Sequence, residues 1–315
     1  MKLVSKILAA ALCIAPSVAF SQTITIDVKA NNHAISPYIY GSNVDCEFST
    51  STRWGGNRST GYNWENNASN GGKDNGNVSD GYYTDYTNNT TPALPIVEFV
   101  KKADARNQFK IVSLQAAGYV AADKSGRVTE VASDENPRWK KISYEKPTPY
   151  SLTPDTEDDV VYIDEMINYL QTLGEPGNGG IDAYAVDNEP FLWYDSHPML
   201  HPDSTTYQEL FEKTKLVAST VHKISPHTEI VGPMFYGWMD AYHWGYEDSD
   251  FKNEIKSKNK NYRWFVDFYL DSLRQMEETY GERFLDIISF HWYPEATGTV
   301  TTYSEGTPRA GELVR

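Results

Sequence analysis

The sequence predicts an α/β protein built on a parallel sheet, short of a closed eight-stranded barrel. Three observations carry this. From about Pro37 onward, short apolar runs alternate with amphipathic segments of helical length, the order of repeated βα units. The segments of helical length have recognisable starts or periods. Six strands with their helices use up the chain, whereas a closed barrel needs eight strands and about 250 residues or more.

Taken in order, Lys2 and Lys6 precede an uncharged apolar run from Ile7 to Phe20, closed by Ala19-Phe20-Ser21. This is the pattern of a secretory leader (1–21) cut after Ser21, which makes the mature protein secreted, with no membrane contact after cleavage. The run is too short to span a bilayer, and no later stretch approaches the roughly 20 apolar residues a span needs. Thr23 to Lys29 then alternates polar and apolar, as a half-buried strand does, and differs from all that follows. Strands are expected at Tyr38 to Tyr40, Arg53 to Gly56, Phe109 to Gln115, Ile181 to Val186, Glu229 to Phe235 and Leu285 to Phe290. Helices are expected at Pro92 to Asn107, Asp158 to Leu173, Ser204 to Val221 and Asn261 to Tyr280. Thr91-Pro92, Asp155 and Ser204 serve as their start signals. The segment Thr302 to Arg315 is polar and carries no strand or capping signal, as expected of a fragment of a longer protein.

Composition narrows the partners. Lys and Arg number 28 against 43 Asp and Glu among 315 residues, a net charge of −15 that repels phosphate backbones and argues against nucleic acid. Aromatic residues make up 13% of the chain, beside long Asn, Gly, Ser and Thr stretches. That mixture suits a polar, uncharged ligand with flat apolar faces. Cys13 lies in the leader, so Cys46 stands alone, which excludes an internal disulfide and makes it a buried small hydrophobe.

The sharpest local signal is Asp182-Ala-Tyr-Ala-Val-Asp-Asn-Glu-Pro190, an apolar strand that ends in Asp, Asn and Glu. Chemistry in barrels sits at such strand ends. A carboxylic acid there, in an aromatic cleft beside an Asn able to hold a sugar hydroxyl, suits a general acid. Taken alone, three polar residues before a proline are equally ordinary turn chemistry. Ser289-Phe-His-Trp-Tyr-Pro-Glu295 is a second strand ending in aromatic and ionisable groups. In Arg53-Trp-Gly-Gly-Asn57, glycines permit close backbone approach and a guanidinium can pin a carboxylate. Asp155, Asp158 and Asp159, with Glu47, offer hard oxygen ligands for calcium, although such acids also simply start helices. The loop Asp74 to Asp80 has Gly76 where a calcium loop needs a ligand. His197, His201 and Asp203 lack the Cys or third His of a zinc set. No serine-hydrolase elbow, Walker loop or dinucleotide glycine pattern occurs.

Four motifs together, Gly-Gly-Asn-Arg-Ser-Thr-Gly-Tyr-Asn-Trp-Glu-Asn-Asn-Ala-Ser-Asn, Asp-Asn-Glu-Pro-Phe-Leu-Trp, His-Pro-Met-Leu-His-Pro-Asp and His-Trp-Tyr-Pro-Glu-Ala, resemble the family 44 glycoside hydrolases, secreted β-1,4-glucanases and xyloglucanases. The resemblance runs from about Ile35 to the end. It implies a (β/α)8 TIM barrel, partial here over 35–315, and a β-sandwich whose first strand lies in 22–34. It further implies a retaining endo-β-1,4-glucanase with Glu189 as acid/base and Asn188 holding a sugar 2-hydroxyl. Arg53 and Asn57 would stand at the barrel mouth, Trp64 as a stacking platform, and Tyr236, His291 and Tyr293 as subsite or nucleophile-supporting residues. Glu47, Asp155 and Asp158 would hold a structural Ca2+, with no cofactor for the chemistry. The family's nucleophile lies in a Thr-Glu-Tyr-Asn motif that does not occur before Arg315, so the activity of these residues alone is not expected. The partner implied is a β-1,4-glucan, and the assembly a monomer. A retaining xylanase or mannanase, or a non-catalytic carbohydrate-binding protein, fits the same residues.

Overall fold

The computed structural model describes residues 34–43, 46–244 and 262–291. The chain divides into two compact units, Met1–Ser36 and Pro37–Arg315. The expected leader and the Thr23 to Lys29 strand lie outside the described residues.

Six strands form one parallel sheet: β1 (Gly41–Ser42), β2 (Ser51–Trp54), β3 (Phe109–Leu114), β4 (Ala183–Val186), β5 (Glu229–Phe235) and β6 (Ile287–Phe290). They lie side by side in chain order and every pairing is parallel, the order of a (β/α)8-like barrel. The longer described helices are α1 (Leu94–Asp104), α2 (Ile163–Gln171), α3 (Tyr207–Ile224) and α4 (Phe265–Tyr280). None of the described helices is long and apolar enough to cross a membrane.

The helices α1, α3 and α4 each bury one stripe, whereas α2 is buried nearly all round. In α3, Leu210, Thr214, Val217, Ala218 and Val221 recur at helical spacing and are buried, and the Thr206 hydroxyl caps the start by accepting from Glu209 N at 3.1 Å. In α1 the buried residues are Pro95, Ile96, Val100 and Ala103, and Lys101 and Lys102 complement the last turn. These stripes pack on one face of the sheet, against Trp54, Val112, Leu114, Tyr184, Val186 and Ile230. Burying each large side chain contributes about 1.5–3 kcal/mol. Period-2 alternation sends Ala183, Ala185 and Val231 to the other face, where they cluster with Met234. Arg53, between Thr52 and Trp54, shares that inner face.

Two strands sit differently from their expected positions. Pro37 starts a short 3-10 turn at Pro37–Ile39, so pairing begins only at Gly41–Ser42 and not over Tyr38 to Tyr40. The second strand runs Ser51–Trp54 rather than Arg53 to Gly56, because Gly56 takes a φ of 115° that ends it. Cys46 is half-buried rather than buried. Two further sheets were not legible. One joins Gly61–Tyr62, Ser69–Asn70, Val78–Asp80 and Gly126–Arg127, the other Tyr119–Ala121, Trp139–Ser143 and Val160–Tyr162, the last a strand over the start of the helix expected from Asp158, so that helix begins only at Ile163. Strands of two to five residues within polar loops are too short for a period-2 signal.

Candidate active site

The site grows from the carboxyl end of β4. Asp187 (φ 52°) and Glu189 (φ 45°) both take the left-handed conformation, a strain of about 1–3 kcal/mol each that the surroundings must hold. Asp187 is fully buried and does the holding. Its Oδ1 accepts from the Thr60 hydroxyl at 2.7 Å and Asn188 N at 2.8 Å, and its Oδ2 from Ala116 N at 2.7 Å. The ends of β3 and β4 and the connection after β2 are thereby tied to one carboxyl group. Burial pushes that carboxyl up to about 6 against the pull of these donors. Glu189 N donates to Met234 O at 3.1 Å, which adds β5 to the set.

The Glu189 carboxyl is held at both oxygens. Oε1 lies 2.5 Å from His291 Nδ1, and Oε2 accepts from Asn188 Nδ2 at 3.3 Å. His291 directly follows β6, where its N–H donates to Phe235 O at 2.7 Å. Arg53 rises from the inner face of β2. Its Nη2 donates to Asn188 Oδ1 at 3.0 Å, and its Nη1 lies 2.9 Å from Met234 Sδ and 3.5 Å from His291 Nε2. A carboxylate oxygen only accepts, so the 2.5 Å contact puts a ring proton on Nδ1, facing Glu189. Small inward residues make room for Arg53. A Cβ at Gly55 would stand 2.2 Å from Ser113 Oγ and 3.1 Å from Arg53 Nε.

These groups open on a cleft of about 500 Å3 lined by Asn43, Arg53, Gly56, Asn57, Asn188, Glu189, Phe290 and His291. Among the described residues of that lining, Glu189 is the one carboxylate. Its side chain is 15% exposed, enough to reach a ligand while its oxygens stay oriented. A carboxyl so placed is equipped to give and take a proton at a bound molecule.

Arg53, Asn57, Asn188, Glu189 and His291 are thus brought together as the sequence implies. Trp64 is not. It is 0% exposed and packs against the Tyr169 ring at 5.6 Å, so it has no face to offer a sugar and belongs to the core. Tyr236 stacks on Phe191 at 5.7 Å and 12°, beside the cleft rather than in its lining. Tyr293 lies outside the described residues. The expected calcium ligands are not assembled either. Glu47 and Asp155 are exposed on separate connections, and Asp158 accepts from Lys140 Nζ at 3.3 Å. The same ammonium lies 2.8 Å from Glu65, so a lysine already balances the acids there. Among the described residues no three His, Cys, Asp or Glu side chains form a metal-holding group.

Sequence reasoning passed over Asn43, gave Gly56, Phe290 and Asp187 no part beyond their motifs, and noted His197 only as failing to complete a zinc set. Asn43 and Phe290 stand at or just past strand ends, the signal that singled out Glu189, and the two-residue shift of β1 hid the first. The Asn-rich run after Asn57 proves structural. Asn63, Asn66 and Asn67 spend their amides on Ala121 O, Ala122 O, and Asn89 O with Thr91 O.

Similarity to known proteins fits this geometry. The sequence model of glycoside hydrolase family 44 matches residues 57–296. The chain belongs to this family. Endoglucanase A of Paenibacillus lautus is 39% identical over 300 residues, 88% of this chain and 40% of that protein. The crystal structure of a family 44 endoglucanase from Clostridium thermocellum superimposes with a TM-score of 0.75 at 42% identity. The family 44 xyloglucanase of Paenibacillus polymyxa, solved with xyloglucan, gives 0.77 at 38%. Each of these two alignments covers 84% of this chain and 53% of the solved one. The chain therefore spans about half the length of its solved family 44 relatives, and less of the curated one.

Proposed function

We propose that these residues carry the acid/base half of a secreted, retaining endo-β-1,4-glucanase acting on cellulose-type glucans or xyloglucan. The observation that supports it most is the Glu189 carboxyl, held by His291 and Asn188 at the edge of a polar, open cleft in a family 44 chain. In this reading Glu189 protonates the glycosidic oxygen as the bond to the anomeric carbon breaks, and a second carboxylate attacks that carbon. Glu189 then takes a proton from the water that releases the sugar. Retention needs the second carboxylate about 5–5.5 Å away, and the described cleft lining contributes none besides Glu189. The β-sandwich strand and the leader belong to the same proposal, and sequencing the amino terminus of the mature protein tests cleavage after Ser21.

The decisive experiment is reducing-sugar release from carboxymethylcellulose, xyloglucan, xylan and mannan. It uses the 315-residue chain, the product of the complete reading frame, and the latter with Glu189→Gln and Glu189→Ala. Glu189→Gln is expected to lower turnover about 10²- to 10⁴-fold on glucans. Glu189→Ala should keep activity on dinitrophenyl glycosides, whose leaving group needs no acid, and be accelerated by azide. Full glucanase activity in Glu189→Gln removes the assignment.

A further inference from the structure

His197 lies on the connection after β4, immediately past the short helix Trp193–Ser196, and is 1% exposed. Its backbone is fixed at three points: its N–H donates to Trp193 O at 2.7 Å, and its carbonyl accepts from Leu200 N at 2.9 Å and His201 N at 2.8 Å. The ring is clamped as well. Its Nε2 stands 2.8 Å from the backbone oxygen of Asn57 and 2.8 Å from Asn57 Oδ1. A backbone carbonyl only accepts, so Nε2 carries the proton. That single N–H then decides which way the Asn57 amide points, with Oδ1 turned to the imidazole and Nδ2 turned away from it.

Asn57 lines the cleft with Glu189, and its Nδ2 has no hydrogen-bond partner among the described residues. His197 Nδ1 is buried and likewise has no partner there. A buried nitrogen without a partner costs about 1–3 kcal/mol, which an apolar ring of similar size would not incur. The pocket holding the ring is also tight: Gly72 has φ +66°, and a Cβ there would meet Ser196 O at 2.3 Å and the His197 ring at 2.9 Å. Burial keeps the imidazole neutral, with its pKa down at about 4, so the tautomer persists across the range where glucans are handled.

We propose that His197 is a positioning residue: its Nε2–H fixes the Asn57 amide so that Nδ2 donates to a hydroxyl of a β-1,4-linked glucosyl unit beside Glu189. This rests on the glucanase reading above. It assigns His197 to ligand recognition from beneath the cleft, without contact with the sugar.

The test is titration calorimetry with cellopentaose and a xyloglucan oligosaccharide on the product of the complete reading frame carrying Glu189→Gln, so that binding is read without turnover. His197→Phe is expected to weaken binding about three- to ten-fold, one hydrogen bond's worth, and His197→Gln, whose amide N–H reaches the same place, to restore it. In an Asn57→Ala background His197→Phe should add nothing. Asn57→Asp keeps an oxygen for His197 while replacing the donor with an acceptor, and should weaken binding as much as Asn57→Ala does, even if His197→Phe fails to fold. Additive effects of the His197 and Asn57 changes, undiminished binding by Asn57→Asp, or no saccharide binding in the parent would each overturn the proposal. Failure of the glucanase reading shows elsewhere, as absent turnover by the protein with Glu189 intact.

Discussion

Glu189 and Glu65 are both glutamates sunk among charged neighbours, but the first faces a cleft and the second faces the protein. Around Glu189 the donors are His291, Asn188 and, behind Asn188, the forked Arg53, brought by three strands, and one side stays open to solvent. Around Glu65 the partner is a buried lysine: Lys140 Nζ lies 2.8 Å from Glu65 and 3.3 Å from Asp158, with both Glu65 and Lys140 almost fully buried. Nearby, Lys146 Nζ and Ser151 N close on Glu165 in the same way. A buried charge matched by its own counter-charge leaves nothing for a ligand to do. A carboxyl whose oxygens rest on an imidazole and an amide, with the Arg53 guanidinium bonded to that amide, can still exchange a proton. Burial alone therefore does not mark the chemistry in this chain, whereas the identity of the partners does.

Removing Lys140 is the harshest way to break that contrast. Above pH 7, where Glu65 is ionised in the parent, Lys140→Met leaves it buried without its cation and should cost about 3–5 kcal/mol of stability. Activity per folded molecule in the complete protein should hardly change. Adding Glu65→Gln to Lys140→Met should return much of the loss, because the stranded charge is gone. Chemical unfolding of the single and double variants checks this, and a large fall in kcat for the folded fraction of Lys140→Met would place the flank in the site after all.

Arg53→Lys sharpens the other side. The guanidinium fork bridges Asn188 Oδ1 and the Met234 sulfur and reaches His291, and a lysine ammonium cannot span those positions at once. Loosening Asn188 and His291 should lower kcat about 10- to 100-fold with a small change in KM, since the loss is of geometry at Glu189 rather than of a sugar contact. Steady-state kinetics on xyloglucan decide it. Equal loss in kcat/KM through KM alone would mean that Arg53 binds the glycan instead of arranging the acid.

The same contrast explains what could be read in advance. The helices and four of the six strands were legible because each repeats apolar residues at its own period, and Asn188-Glu189 and His291 because they close apolar strands. Arg53 was legible from a guanidinium beside glycines that permit close approach, and Asn57 through the family 44 resemblance. Trp64 was misplaced because a tryptophan in a polar motif looks the same whether its ring meets a sugar or Tyr169. Glu65 went unremarked for a related reason. Its cation arrives from Lys140, 75 residues away, through small sheets too short to announce themselves. His197 stood in a motif that was noticed, but its role depends on one proton on one ring nitrogen, which spacing does not encode.

The mildest test uses pH. Burial raises the Glu65 carboxyl to about 7, although the Lys140 hydrogen bond and charge lower it. Its value in the unfolded chain is near 4.5, so between these limits the native state holds the proton and the unfolded state does not. Native stability contributed by this group is therefore present below about pH 4.5 and is lost as pH rises toward 7. Asp187 and Asp240, raised by burial to about 6 and about 7, act with the same sign. Thermal unfolding should thus show stability falling from pH 5 to pH 7, and Glu65→Gln should remove about 1–2 kcal/mol of that fall while Asp187 and Asp240 keep the rest. An unchanged slope in Glu65→Gln would mean that Lys140 keeps Glu65 ionised throughout, and the flank would then be a permanent ion pair rather than a carboxyl waiting to lose its proton.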